Sequence, residues 1–256
     1  MNLVAHNKEA WDNQVKSKNK WTLPVDSATI ELAKRGEVRL LLTPTIPTPM
    51  EWINPIRGKK VLCLASGGGQ QGPLFAAMGA DVTVFDNSPE QLKQDEFVMK
   101  REGLSISLVQ GDMRDLSHFE SETFDLIFHP VSNVFVDQVN IVWKEAYRVL
   151  KKGGVLLSGC ANPILFIFDF DLWDKTKEMK VSYKIPYSDI DQLPSEQLAE
   201  KIKKLEPLEF GHSLDQLIGG QIAAGFAITG FYEDHSGWGD LLDPYIPSFF
   251  ASRAVK

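Results

Sequence analysis

The residues with the clearest chemical potential form a glycine-rich run, Ala65-Ser66-Gly67-Gly68-Gly69-Gln70-Gln71-Gly72. An apolar segment precedes this run and a helical pattern follows it, which together predict a strand, a tight turn and the start of a helix. Glycine lets the backbone take positive φ angles and approach a ligand closely, and a helix N-terminus offers free N–H groups. Gly67, Gly69 and Gly72 match the G-x-G-x-x-G spacing of nucleotide-binding turns, although that match alone is a weak signal.

An acidic residue strengthens the nucleotide interpretation. Asp86 stands at the end of the second predicted strand, where a carboxylate can accept hydrogen bonds from both hydroxyls of a ribose. Its alternative role is to cap the turn before Ser88. Because NAD and S-adenosylmethionine both contain adenosine, the glycine turn and Asp86 predict an adenosine cofactor without separating the two.

The elements that must position these residues follow from hydrophobic patterning. Strands are predicted at residues 61–65, 81–85, 105–109, 124–128, 155–159, 227–233 and 248–254. Helices are predicted at 9–17, 27–42, 73–78, 90–102, 137–150 and 214–224, with Ser88 as N-cap and Pro89 as first residue of the fourth. This alternation predicts an α/β fold, with a parallel sheet, right-handed crossovers and helices on both faces.

Four further segments carry a family resemblance. They are Gln110-Gly111-Asp112-Met113-Arg114, Phe124-Asp125-Leu126-Ile127-Phe128-His129, and the stretches 146–154 and 221–228. In this order, with the glycine turn before them, they resemble the class I S-adenosylmethionine-dependent methyltransferases. The resemblance implies a seven-stranded, mostly parallel Rossmann-like sheet with one antiparallel edge strand, and S-adenosylmethionine as the cofactor.

The resemblance also implies a set of site residues. Cofactor contacts are expected from Ser66, Gly67, Gly68, Gly69, Gln70, Asp86, Asn87, Asp112, Met113, His129 and Trp21. Asp112 would bind the adenine amino group, and Trp21 would stack on adenine or pack in the protein. His129 and Asn133 follow the fourth strand, at the sheet edge where α/β proteins bind ligands, and are the catalytic candidates. The alternative for His129 is a packed histidine that holds the loop.

One position departs from the family pattern. The family usually carries an acid in the first strand, in a V-L-D-x-G-x-G motif, whereas this chain has Cys63 there. Ser66, Gln70 and Gln71 offer neutral hydrogen bonds in place of that acid. The departure keeps open a third interpretation, a non-catalytic protein that binds S-adenosylmethionine.

The chain is predicted to form a single domain with four parts. These are an N-terminal cap segment (1–57), a cofactor-binding core (58–160), a substrate-side insertion (161–212), and a C-terminal helix with strands (213–256). The insertion holds the aromatic residues Phe166, Phe168, Trp173, Tyr183 and Tyr187, which are predicted to line an acceptor pocket. The alternative is that they form a core of the insertion or a homodimer contact. No metal is predicted, because the nearby acids lack the glycine turn and closing glutamate of a calcium loop.

Composition limits the function further. With 27 Lys and Arg residues against 34 Asp and Glu residues the net charge is −7, which disfavours nucleic-acid and membrane binding. Cys63 and Cys160 lie in apolar segments and predict buried free thiols, and the amino terminus has no apolar signal core. We therefore expect a cytoplasmic enzyme that methylates a small molecule. An NAD-dependent oxidoreductase is the alternative.

Overall fold

A seven-stranded sheet forms the centre of the computed structural model, which describes residues 2–256. The strands of this sheet are β1 (Lys60–Leu64), β2 (Asp81–Asp86), β3 (Ile106–Gln110), β4 (Phe124–His129), β5 (Leu150–Ala161), β8 (Ala227–Asp234) and β9 (Phe249–Val255). Two short strands, β6 (Tyr187–Ser188) and β7 (Phe210–Gly211), pair with each other outside it. The α-helices are α1 (Leu3–Lys16), α2 (Ser27–Lys34), α3 (Met50–Ile53), α4 (Gln71–Ala77), α5 (Pro89–Glu102), α6 (Val139–Val149), α7 (Phe170–Thr176), α8 (Asp189–Gln192), α9 (Ser195–Lys203) and α10 (Gly220–Ala224).

The strand order of the sheet is β3-β2-β1-β4-β5-β9-β8. Strands β1 to β5 are parallel, whereas β9 runs antiparallel to both of its neighbours. The predicted mostly parallel sheet of seven strands with an antiparallel pair at one edge is therefore confirmed. The reversed strand lies one place in from that edge, between β5 and β8. The strand order reverses between β1 and β4, which is where open α/β sheets bind ligands.

Both faces of the sheet are covered, which explains why the strands read as continuous apolar runs. All four residues of β1 from Val61 to Leu64 are fully buried. One core lies under α2, α4 and α5, and includes Phe75, whose ring packs edge-on against Phe128. The other core lies under α6 and is centred on the fully buried Trp143. Each large side chain buried in this way contributes roughly 1.5–3 kcal/mol to the free energy of folding.

Helix α5 follows its sequence signals closely. The hydroxyl of Ser88 accepts a hydrogen bond from the Gln91 amide at 3.1 Å, and Pro89 occupies the first turn. Gly103 ends the helix in the left-handed conformation with φ of 65°. The Ser88 cap fixes the position at which the chain leaves β2 and enters the helix, directly beside Asp86.

Helices α1 and α2 differ from the pattern-based predictions, and the helix predicted at 214–224 begins as a π-helical turn, Asp215–Gly219, before α10. Helix α1 begins at Leu3, because the Asn2 side chain caps it by accepting a hydrogen bond from Ala5. Helix α2 ends at Lys34, where the prediction continued to residue 42. The chain after Gly36 has no helix before α3 and buries Leu40 and Leu42, so these apolar residues contribute to the core without helical structure.

The insertion predicted at 161–212 is a mixed segment. It contains the short helices α7, α8 and α9 and a two-stranded ribbon in which β6 pairs antiparallel with β7.

Within residues 2–256, no helix has the length and apolar character needed to cross a membrane. The same residues contain no cluster of three or more His, Cys, Asp or Glu side chains arranged to bind a metal ion.

Candidate active site

A cavity of about 700 Å³ opens at the carboxyl ends of the parallel strands. Its walls include the loops that follow β1, β2, β3 and β4, together with α1 and the insertion. Of the residues predicted to bind a cofactor, the cavity is lined by Ser66, Gly67, Gln70, Asp86, Asn87, Asp112, Met113 and Trp21. Gly68, Gly69 and His129 do not line it.

The glycine turn is held tightly against the N-terminal half of α5. The amide of Gly67 donates to Asp86 at 2.9 Å. A Cβ atom on Gly67 would lie 2.8 Å from the Cβ of Gln91, and one on Gly72 would lie 2.5 Å from a methyl group of Val84. Glycine is therefore required at both positions by close packing of the turn against its neighbours. This packing leaves Gly67 at the cavity wall.

Asp86 ends β2 with its carboxylate at the cavity wall. One oxygen accepts from Gly67, and the other accepts from the Ser88 amide at 2.9 Å. Burial raises the pKa of this carboxyl group, while the amide donors oppose the shift. Each carboxylate oxygen keeps a second acceptor position, so the group can still bind hydroxyl donors from a ligand.

Asp95 is a further acidic residue at the turn, and the sequence interpretation missed it. Its side chain is completely buried on α5, and one oxygen accepts from the Gly68 amide at 2.9 Å. Burial raises the pKa of Asp95 to about 8. Burial raises the pKa of the Cys63 thiol, and the charge of Asp95 adds to that shift. An acid is thus present at the glycine turn but is supplied by the helix. Its signal in the sequence was an aspartate on the same helix face as the buried Leu92 and Val98.

Asp112 and Met113 follow β3 at the cavity wall. The Arg114 guanidinium lies 2.7 Å from the Asp112 carboxylate and 2.7 Å from that of Asp137. These two carboxylates raise the pKa of Arg114. The arginine therefore fixes the Asp112 side chain at the wall and neutralises part of its charge.

His129 and Asn133, the two catalytic candidates, lie behind the cavity wall. His129 is completely buried, its Nδ1 lies 2.9 Å from the Leu64 carbonyl oxygen, and its ring packs edge-on against Trp143. Burial lowers the pKa of His129 to about 4, so the imidazole is neutral at physiological pH. Asn133 donates to the Gly159 carbonyl at 2.8 Å. These contacts correct the expectation that both side chains face a ligand, because β4 directs His129 toward the α6 side of the sheet.

Ser132 is the polar side chain of this loop that lines the cavity. Its hydroxyl donates to the Ala65 carbonyl at 2.8 Å, which ties the β4 loop to the glycine turn. The sequence interpretation did not select Ser132, because its position on the inner side of the loop depends on the turn that follows Pro130.

The N-terminal segment covers the cavity. Asn7 on α1 donates to the carbonyls of Phe135 and Leu208 at 3.0 Å and accepts from the Leu208 amide at 2.8 Å. Asp12 on the same helix accepts a 2.6 Å hydrogen bond from Ser88. Helix α1 therefore connects the start of α5, the β4 loop and the end of the insertion. Trp21, which is 42% exposed, lines the cavity beside Trp238.

The insertion forms the opposite wall. Phe166, Phe168, Tyr183 and Tyr187 line the cavity, whereas Trp173 does not. Tyr187 donates to the buried carboxylate of Asp189 at 2.8 Å, and burial raises the pKa of this tyrosine.

Comparisons with known proteins agree with this architecture. A family model described as a methyltransferase domain matches residues 62–158. The chain is 54% identical to the uncharacterized methyltransferase YbaJ of Bacillus subtilis, over 99% of this chain and 98% of that protein. An S-adenosylmethionine-dependent methyltransferase from Mesorhizobium loti superposes with a TM-score of 0.60 at 16% identity, over 81% of this chain and 95% of its own. A cyclase, SpnF, superposes with a TM-score of 0.61 at 16% identity, over 97% of this chain and 95% of its own. At such identities the structural likeness shows the fold alone.

Proposed function

The chain belongs to the class I S-adenosylmethionine-dependent methyltransferase family, and on that premise we propose that it methylates a small molecule held in the cavity. The observation that carries the proposal is one continuous cavity with the glycine turn and Asp86 in one wall and the aromatic residues of the insertion in another. Its volume of about 700 Å³ falls within the range of roughly 300–1,000 Å³ that is typical of small-molecule sites.

The side chains at the glycine-turn end suit the cofactor. Asp86 would accept hydrogen bonds from the ribose hydroxyls, and Asp112 would accept one from the adenine amino group. Ser66 and Gln70 offer neutral polar groups for the methionine part. Gly67 lies in the cavity wall beside Asp86, to which its amide donates a hydrogen bond. When bound, S-adenosylmethionine supplies a methyl group that its sulfonium has already activated for transfer.

The protein's own contribution would be alignment and exclusion of water. Helix α1 and the insertion enclose the acceptor, and Ser132 joins the glycine turn to the acceptor side. No histidine base is invoked, because His129 is buried, neutral and behind the wall. An acceptor that is itself a good nucleophile needs only this positioning.

Isothermal titration with S-adenosylmethionine and S-adenosylhomocysteine tests the cofactor assignment. We expect Asp86→Asn to weaken both ligands by about 10- to 100-fold, the effect of losing hydrogen bonds to a charged acceptor. Asp81→Asn is the matched control, because it makes the same change at the exposed start of the same strand. Absence of binding to the wild-type protein, or unchanged affinity in Asp86→Asn, would contradict the assignment. Titration with NAD in parallel tests the oxidoreductase alternative.

A further inference from the structure

The insertion side of the cavity carries an excess of negative charge. Two lysines line it, Lys201 and Lys204. The carboxylates that line it are those of Asp169, Asp171, Asp189, Glu200, Glu206 and Glu209. Lys201 lies 2.6 Å from Asp189 and Lys204 lies 2.8 Å from Glu200, so both cations are already paired. This wall therefore offers negative charge to a ligand and no uncommitted lysine.

Glu209 is the carboxylate best placed to receive a ligand. Its backbone amide donates to Asp189 at 2.8 Å, which fixes the residue immediately before β7. Its carboxylate lies 3.9 Å from Lys201, beyond hydrogen-bond distance, because Asp189 holds that ammonium group more closely. The side chain is 42% exposed and lines the cavity.

Aromatic rings line the same cavity as this carboxylate. The rings of Phe166 and Tyr187 are stacked with centroids 5.5 Å apart, and the Tyr183 ring lies 5.3 Å from that of Tyr187. Gly211 makes the stack possible, because a Cβ there would lie 2.5 Å from the Phe166 ring. Aromatic faces attract alkylammonium groups, and a carboxylate beside them adds a charged hydrogen-bond acceptor.

We propose that the methyl acceptor is a small molecule with an ammonium group, and that this group binds at Glu209 against the rings of Tyr183 and Tyr187. The inference rests on the proposed function, since it concerns the acceptor side of the same cavity. A carboxylate or phosphate ligand does not fit, because both lysines are paired and the remaining carboxylates repel anions. A wholly apolar ligand would leave the Glu209 carboxylate with the Lys201 ammonium group, at 3.9 Å, as its nearest cation.

Thermal unfolding of the protein saturated with S-adenosylhomocysteine provides the test. The probes are matched triplets that share one skeleton, such as phenethylamine, 2-phenylethanol and 3-phenylpropanoate, with the corresponding benzyl, cyclohexyl and butyl series. We expect the amine of at least one triplet to raise the melting temperature and to bind about tenfold or more tightly than its alcohol. If no amine raises it, or if the alcohol or carboxylate binds as tightly in every triplet, the proposal is overturned.

Two variants assign the preference to the site. Glu209→Gln keeps the backbone contact with Asp189 and should reduce the amine-to-alcohol ratio to near one, and Tyr183→Leu should lower it severalfold. Glu233→Gln, on the exposed surface of β8, is the matched control and should retain the wild-type ratio. An amine preference that survives Glu209→Gln in a folded protein would refute the role of that carboxylate. Failure of S-adenosylhomocysteine itself to raise the melting temperature would instead count against the proposed function.

Discussion

The buried carboxylate of Asp95 leads to a quantitative prediction about stability. Its pKa is about 8 in the folded protein, against an ordinary value of 3.8. Below pH 3.8 the group is protonated in both the folded and the unfolded state, so it imposes no cost. Between pH 3.8 and 8 the unfolded chain releases the proton while the folded protein keeps it, and the stability contributed by this group falls as the pH rises. At about 1.4 kcal/mol per pH unit, the cost at pH 7 is about 4 kcal/mol.

The substitution Asp95→Asn removes this titration and keeps an oxygen that can accept from Gly68. We expect the variant and the wild type to unfold with similar free energies near pH 4. The variant should gain on the wild type as the pH rises, and reach an advantage of up to about 4 kcal/mol at pH 7. Urea unfolding at pH 4, 5, 6 and 7 measures the difference directly. His129 also titrates in this interval, but it is present in both proteins and its contribution cancels.

Two results would refute this reasoning about Asp95. One is a difference in unfolding free energy that does not change with pH. The other is a variant that is less stable than the wild type at pH 7. Asp81→Asn is the control for the change in net charge, since it removes the same carboxylate at an exposed position.

Two further predictions follow from the site. Gly72→Ala should lower the free energy of unfolding by about 1–3 kcal/mol, because the new Cβ would lie 2.5 Å from a methyl group of Val84. Gly103→Ala is the comparison: its Cβ would meet no atom within 4 Å, so only the φ of 65° opposes it, and it should cost about 1 kcal/mol. Thermal unfolding of both variants measures the difference. The NMR signals of the His129 ring should remain those of neutral imidazole from pH 8 down to pH 5, because burial lowers its pKa to about 4; a midpoint near 6.5 would show that the ring reaches water.

The sheet and the glycine turn were predictable because their signals are local. A strand buried on both faces must be apolar throughout, and Ser88 followed by Pro89 marks a helix start wherever it occurs. The insertion lacks such signals. Its polar cluster joins Asp189 to Lys201 and Glu209 through contacts between residues that are distant in the sequence. No local period encodes such a cluster, so only the aromatic composition of this wall could be foreseen.

His129 illustrates a different limit of sequence interpretation. Its place at the end of β4 correctly suggested the ligand-binding edge of the sheet, but position along a strand does not determine which face the side chain occupies. The alternation that puts Phe128 in the core beneath α4 turns His129 toward Trp143 in the other core. A shift of one residue in the strand would have turned it to the opposite face of the sheet, where Phe128 packs beneath α4.

Cys63 and Asp95 show how a contact between residues distant in the sequence changes the interpretation of a local motif. The family pattern expects an acid in β1, and its replacement by Cys63 was the main reason to consider a non-catalytic protein. Asp95 supplies a carboxylate to the Gly68 amide from α5, on the other side of the turn. The pairing became visible only in the fold, because the parallel pairing of β1 with β2 brings the next helix back over the turn. A buried acid with a pKa near 8 lowers stability at neutral pH. Asp95 therefore holds the glycine turn from within the protein; it does not line the cavity, so it is not a substitute ligand contact for the acid that the family pattern expects at position 63.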